Sequence, residues 1–124
     1  MTDRVLVVED DDAIALVLED LLVSEGFEVQ RAANGRAALD MLSTFRPHVI
    51  VLDLMMPILD GWGFRATQRG LDSDLATIPV VILSGAREAT AASIELDAAA
   101  VVVKPFTLDV LVDTLRQAAR RRER

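Results

Sequence analysis

The chain has 124 residues, no cysteine and a formal net charge of -7. That length suits a single domain spanning residues 1–124, which can bury about two-thirds of its unfolded surface; the missing cysteines exclude disulfides, thiolate nucleophiles and cysteine-ligated zinc, and the acidic balance argues against direct binding of nucleic acid. Met1-Thr2-Asp3-Arg4 run straight into an apolar segment without a secretory pattern, and no unbroken apolar stretch approaches the ~18 residues of a membrane span, so the expectation is a soluble, cytoplasmic protein with no membrane partner.

Val5–Val8 is a short apolar run that ends in Glu9-Asp10, and Asp11 and Asp12 extend the acidic stretch. Ile14, Val17, Leu18, Leu21 and Leu22 then share one face at helical spacing. Asp12 is the expected N-cap of this helix and Gly26 its stop. A weaker strand, Phe27–Arg31, follows. Asn34-Gly35 opens a second helix marked by Ala37, Ala38, Met41 and Leu42. Val49–Leu52 is a buried-strand pattern that ends in Asp53, and a short third helix is expected within Gly61–Gln68. Val80–Leu83 ends in Ser84 and precedes an alanine-rich helix at about Arg87–Leu96. Val101–Val103 ends in Lys104-Pro105. Thr107 is the expected N-cap of the last helix, whose apolar face carries Val110, Leu111, Thr114, Leu115 and Ala118. Arg116, Arg120, Arg121, Arg122 and Arg124 close it, as a helix dipole favours. Residues 116–124 are read as that basic helix end or as the start of a linker to a missing output domain.

Strands that are apolar on both faces and alternate with helices predict an α/β fold, a doubly wound five-stranded parallel sheet. Ligands of such sheets bind beyond the C-terminal ends of the strands. Four strand ends here carry chemistry: Glu9-Asp10, Asp53, Ser84 and Lys104-Pro105. Any one of these is commonly only a turn or cap residue; their joint placement at one sheet edge is the informative feature. Two carboxylates ~4 Å apart repel by roughly 4 kcal/mol at an effective dielectric of about 20. A hard divalent cation relieves that repulsion, and Mg²⁺ suits a site with few carboxylates and a phosphate. Lys104 is the only lysine, with every other cation an arginine apart from His48. At the end of an apolar run its ammonium needs a carboxylate or phosphoryl partner. The sequence leaves the isomer of the Lys104–Pro105 bond open. These groups point to phosphoryl transfer with Asp53 as nucleophile, Glu9 and Asp10 as metal ligands, and Ser84 and Lys104 contacting the phosphoryl oxygens.

Val5-Leu6-Val7-Val8-Glu9-Asp10-Asp11, Val51 to Pro57 around Asp53, Asp60-Gly61, Ile82-Leu83-Ser84-Gly85 and Lys104-Pro105-Phe106 resemble, in order and over nearly the whole chain, the motifs of bacterial response-regulator receiver domains. The resemblance implies a flavodoxin-like (βα)5 fold with strand order 2-1-3-4-5. It implies Asp53 as phosphoacceptor in a two-component phosphorelay. Glu9, Asp10, Asp53 and the backbone carbonyl of Met55 would bind Mg²⁺ or Mn²⁺. Ser84 would be the switch hydroxyl and Lys104 the phosphoryl contact. The donor would be a sensor histidine kinase or a histidine phosphotransfer protein. Signalling would pass by protein–protein contact to an output partner or domain, with a homodimer expected through the face of the fourth helix, fifth strand and fifth helix. His48 has no part in this scheme. The sequence departs from the family pattern at Val101, where an aromatic is usual, at Gly85, where alanine is common, and at Asp97, where glycine is common.

An aspartyl-phosphate phosphatase is the enzymatic alternative. Such enzymes need an aspartate two residues after the nucleophile, and here that residue is Met55. The expectation is therefore self-phosphorylation and autodephosphorylation only, without turnover of an external substrate. A receiver-like module that is never phosphorylated is the other alternative; it gives no reason to gather carboxylates. Trp62, the only tryptophan, is expected to be a partly buried packing residue close to the site.

Overall fold

A computed structural model describes residues 2–122 of the protein, without the side chains of Ser73, Ser93, Arg121 and Arg122. Arg124 lies outside the described residues. Strand β1 is Arg4–Val8, β2 Glu28–Ala32, β3 Val49–Asp53, β4 Val80–Ser84 and β5 Ala100–Val103. Helix α1 is Asp12–Ser24, α2 Gly35–Phe45, α3 Gly61–Arg69, α4 Ser73–Ala76, α5 Ala86–Glu95 and α6 Leu108–Arg122. The strands form one parallel sheet in the order β2-β1-β3-β4-β5, as the alternating pattern predicts. The one-turn helix α4 was not expected, because its four residues are too few to show a period.

Successive strand residues point to opposite faces, and each face has its own core. Val5, Val7, Val49, Val51, Val81 and Leu83 pack with Leu18 and Leu22 of α1 and Leu111 and Leu115 of α6. Leu6, Val8, Ile50, Leu52 and Ile82 pack with Leu42 of α2, Phe64 of α3, and Ala92 and Leu96 at α5. Both faces are covered, which is why these strands read as continuous apolar runs.

Four helices start on a side-chain cap. Asp11, Asn34 and Asp60 accept from the backbone N–H of Ile14, Ala37 and Gly63 at 3.0, 2.9 and 2.9 Å. The cap of α1 is thus Asp11 rather than Asp12, which begins the helix itself. Thr107 caps α6 as expected, accepting from Val110 N–H at 3.3 Å. Gly26, with φ +98°, takes the left-handed turn after α1.

Two helical faces differ from expectation. In α1 only Ala15, Leu18 and Leu22 are buried, while Ile14 and Val17 remain 45% and 56% exposed. The apolar stripe is wider than the contact with the sheet. In α6 the buried residues are Leu111, Val112, Leu115, Ala118 and Ala119, and Val110 faces solvent.

A polar knot lies inside the second core. Arg65 of α3 donates from Nε to the Leu96 carbonyl at 2.8 Å, from Nη2 to the Asp97 carbonyl at 2.9 Å and from Nη1 to Gln68 Oε1 at 2.8 Å. Gln68 is fully buried and donates in turn to the carbonyls of Leu75 and Ile78 at 3.0 and 3.1 Å. Burial lowers the Arg65 pKa, followed by repulsion from Arg69, and Asp97 partly offsets both. Asp97 has φ +47°, a left-handed conformation that favours glycine. Its left-handed turn accompanies a carbonyl that accepts from the Arg65 guanidinium.

Because each Gln68 partner is itself buried or half-buried, Gln68→Ala strands several polar groups at once. The expected loss is about 2–4 kcal/mol, measured as a lowered urea midpoint at unchanged slope.

Candidate functional site

The parallel register brings the strand ends into line. Val8 pairs with Ala32 on one side and Leu52 on the other, Asp53 with Leu83, and Ser84 with Val103. The ladder runs one step further at two places: Glu9 N–H donates to the Ala32 carbonyl at 3.1 Å and Lys104 N–H to the Ser84 carbonyl at 2.8 Å. Glu9, Asp53, Ser84 and Lys104 therefore leave the sheet at one edge.

Glu9, Asp10 and Asp53 each offer a carboxylate oxygen within 4.8 Å of the others. Glu9 is only 3% exposed. Burial, then a hydrogen bond and charge from Asp53, then a hydrogen bond with Asp10, push its pKa up to about 8. Without a cation the cluster favours a proton on Glu9, the place that a cation's charge would take. Three carboxylate oxygens, one of them nearly dry, are a donor set suited to a hard, oxygen-seeking divalent ion. The Asp10 N–H donates to Glu9 Oε2 at 3.0 Å.

Asp53 is half-buried. Its Oδ1 accepts from the Met55 N–H at 3.3 Å and lies 3.9 Å from Lys104 Nζ. The ion pair is too long for a hydrogen bond and leaves the lysine free to shift. The Lys104–Pro105 bond is cis. Ser84 is buried, and its hydroxyl donates to the Gly85 carbonyl at 3.1 Å. Met55 presents its backbone to the site, with its side chain exposed. Gly61 opens α3 directly against the Asp53 loop: its N–H donates to the Leu54 carbonyl at 2.9 Å, and a Cβ there would lie 2.7 Å from the Asp53 carbonyl oxygen. Only glycine lets α3 begin this close.

The other residues singled out in the sequence fall elsewhere. Val101 is half-buried in β5 opposite Ile82 and packs on the α5 side of the sheet. Trp62 is a half-buried packing residue against that same core. His48 precedes β3 at the opposite sheet edge, where its Nδ1 accepts from the Arg4 N–H at 2.8 Å. One contributor was passed over. Arg31 donates from Nε and Nη2 to the Glu9 carbonyl at 2.9 and 2.7 Å, and from Nη1 to Asp12 Oδ1 at 2.7 Å. Its signal was its place near the end of β2, at the ligand-binding edge of the sheet.

Residues 5–116 match the family described as the response regulator receiver domain. This chain belongs to that family. The receiver is 40% identical over 121 residues to the transcriptional regulatory protein PrrA of Mycobacterium tuberculosis, covering 96% of this chain and 51% of that protein. It is 38% identical over 123 residues to the response regulator MprA of the same species, covering 98% and 52%. The chain thus spans about half the length of the curated relatives it matches. Among solved structures, the signal receiver domain of a histidine kinase from Syntrophus aciditrophicus superposes with a TM-score of 0.89 at 31% identity, over 99% of this chain and 94% of that one. The flavodoxin-like expectation is met, and the receiver is a two-component signalling domain whose standard family function is a phosphoryl-transfer switch.

The raised Glu9 pKa fixes the sign of one pH effect. The folded, cation-free receiver holds the Glu9 proton more tightly than the unfolded chain does. Its stability contribution is full below the ordinary value of 4.5 and is lost as pH rises towards about 8. Urea midpoints measured without divalent cation should fall across that window more steeply for the natural receiver than for Glu9→Gln, and added Mg²⁺ should flatten the difference.

A second outcome concerns the loop after Asp53. Ile58 is exposed with φ +69°, a left-handed conformation that a β-branched side chain resists. Ile58→Asn should raise stability by about 1 kcal/mol, read as a higher urea midpoint.

Proposed function

We propose that Asp53 is the phosphoacceptor of this receiver, in a reaction that depends on Mg²⁺ or Mn²⁺. One observation carries the reading: Asp53 is the carboxylate that both joins the acidic cluster and faces the only lysine. An Asp53 oxygen attacks phosphorus, the bond from phosphorus to the donor imidazole nitrogen breaks, and an acyl phosphate forms. Glu9, Asp10, Asp53 and the Met55 backbone carbonyl are the groups that would hold the cation, which neutralises charge on the phosphoryl oxygens when bound. Lys104 supplies a second positive charge from 3.9 Å. Ser84 turns its hydroxyl from the Gly85 carbonyl to a phosphoryl oxygen, and this exchange of acceptors biases the Gly85 loop and α5. With Val101 in place of the usual aromatic, the readout runs through that loop rather than through a rotating ring.

The donor is a sensor histidine kinase or a histidine phosphotransfer protein, and the setting is the cytoplasm. The output is a protein contact, made to a separate partner or to a further domain of a longer chain. Ile94 of α5, Val103 of β5 and Val110 of α6 are each exposed, and these three elements offer the surface for a homodimer. External phosphoesters are not turned over, because Met55 has no proton to give where a phosphatase places its acid.

Incubation with acetyl phosphate and Mg²⁺ should add one phosphoryl group to the intact mass. The gain should vanish without the cation and in Asp53→Asn. A gain that persists in Asp53→Asn, or none with either acetyl phosphate or a phosphorylated histidine donor, would sink the assignment.

A further inference from the structure

We infer that Arg31 is a positioning residue for the cation site, holding the backbone that aims Glu9 and Asp10. This rests on the reading of Glu9, Asp10 and Asp53 as the cation ligands.

Arg31 pairs with Val7 in the edge strand β2. It lies on the same face as Val29, which packs on the α1 and α6 side of the sheet. From there the side chain reaches past the end of β1 to the loop that enters α1. Its Nε and Nη2 grip one atom, the Glu9 carbonyl oxygen, at 2.9 and 2.7 Å. That oxygen belongs to the peptide unit joining Glu9 to Asp10. The other end of the same unit, the Asp10 N–H, is held by Glu9 Oε2 at 3.0 Å. One peptide plane is thus fixed at both ends by side chains, and its tilt sets the direction of both carboxylates.

The third contact, to Asp12, carries less. The Asp12 side chain is 91% exposed while that of Arg31 is 22% exposed, and an ion pair ending in open solvent contributes little. The anchored part of Arg31 is its fork on the Glu9 carbonyl. Such a fork is a property of guanidinium that an ammonium does not reproduce.

Electrostatics alone predicts the opposite sign. A fixed positive charge beside the acidic cluster repels an incoming cation, so a mere neighbour would weaken Mg²⁺ binding by its presence. Removing it would tighten binding. Positioning predicts that removal loosens binding, because groups that orient metal ligands typically change affinity about tenfold or more when lost.

Arg31→Lys separates the two, since it keeps the charge and loses the fork. Mg²⁺ titrations followed by calorimetry, with folding checked by thermal unfolding, should show affinity about tenfold weaker than the natural receiver. Arg31→Met should also bind more weakly. In the cation-free protein the Asp10 amide should exchange its hydrogen faster in both variants, a readout independent of any loaded site. Unchanged affinity in Arg31→Lys overturns the inference, as does tighter binding in Arg31→Met. If the natural receiver takes up no Mg²⁺, or if Asp10→Asn binds it equally well, the cation site itself is wrong and the role of Arg31 falls with it.

Discussion

Three carboxylates gathered within 4.8 Å at the end of a buried sheet must share a proton or a cation. The strand order imposes this arrangement, since β1 and β3 are neighbours, Glu9 and Asp10 follow the one and Asp53 ends the other. Glu9 is nearly dry, and its burial first, then its hydrogen bond with Asp53 and the Asp53 charge, raise its pKa. Much of the surrounding structure answers the same demand. Arg31 and Lys104 approach from opposite sides, Met55 donates its amide to Asp53, and Gly61 lets α3 start against the loop. A cluster so constrained is poised for whatever positive centre replaces the Glu9 proton.

The sheet was legible because both of its faces are covered. Strands such as Val49–Asp53 and Val80–Ser84 are buried on alternate sides by helices, so they read as unbroken apolar runs, and their ends marked the edge where ligands bind. Glu9, Asp10, Asp53, Ser84 and Lys104 followed from that edge alone. Contacts made by one long side chain to a distant backbone were not legible. Arg31 reaching the Glu9 carbonyl, and Arg65 reaching those of Leu96 and Asp97, leave no period or spacing in the sequence. The cap of α1 was displaced by one residue for a related reason. In a run of four acids, only the backbone conformation of Asp11 decides which one turns back on the helix.

The knot at Arg65 and Gln68 shows what such contacts do. The core on this side of the sheet receives a guanidinium and an amide where aliphatic packing would be the simpler solution, and both groups find partners. Their partners are the loop after α5 and the segment from α4 to β4. Two separate pieces of chain are thereby registered to α3, whose own start is set by the Asp53 loop. At the other end of α5, Gly85 provides no side-chain cap. That helix is bound more firmly at its far end than beside Ser84.

Arginine does all the structural cation work in this chain, and this has a practical side for chemical footprinting. The single side-chain amine is Lys104, 40% exposed and beside Asp53. An amine-selective label therefore has one internal target, and that target stands at the mouth of the site. Its labelling rate is a direct gauge of how open the strand ends are, read by mass alone and without engineering a probe into the protein.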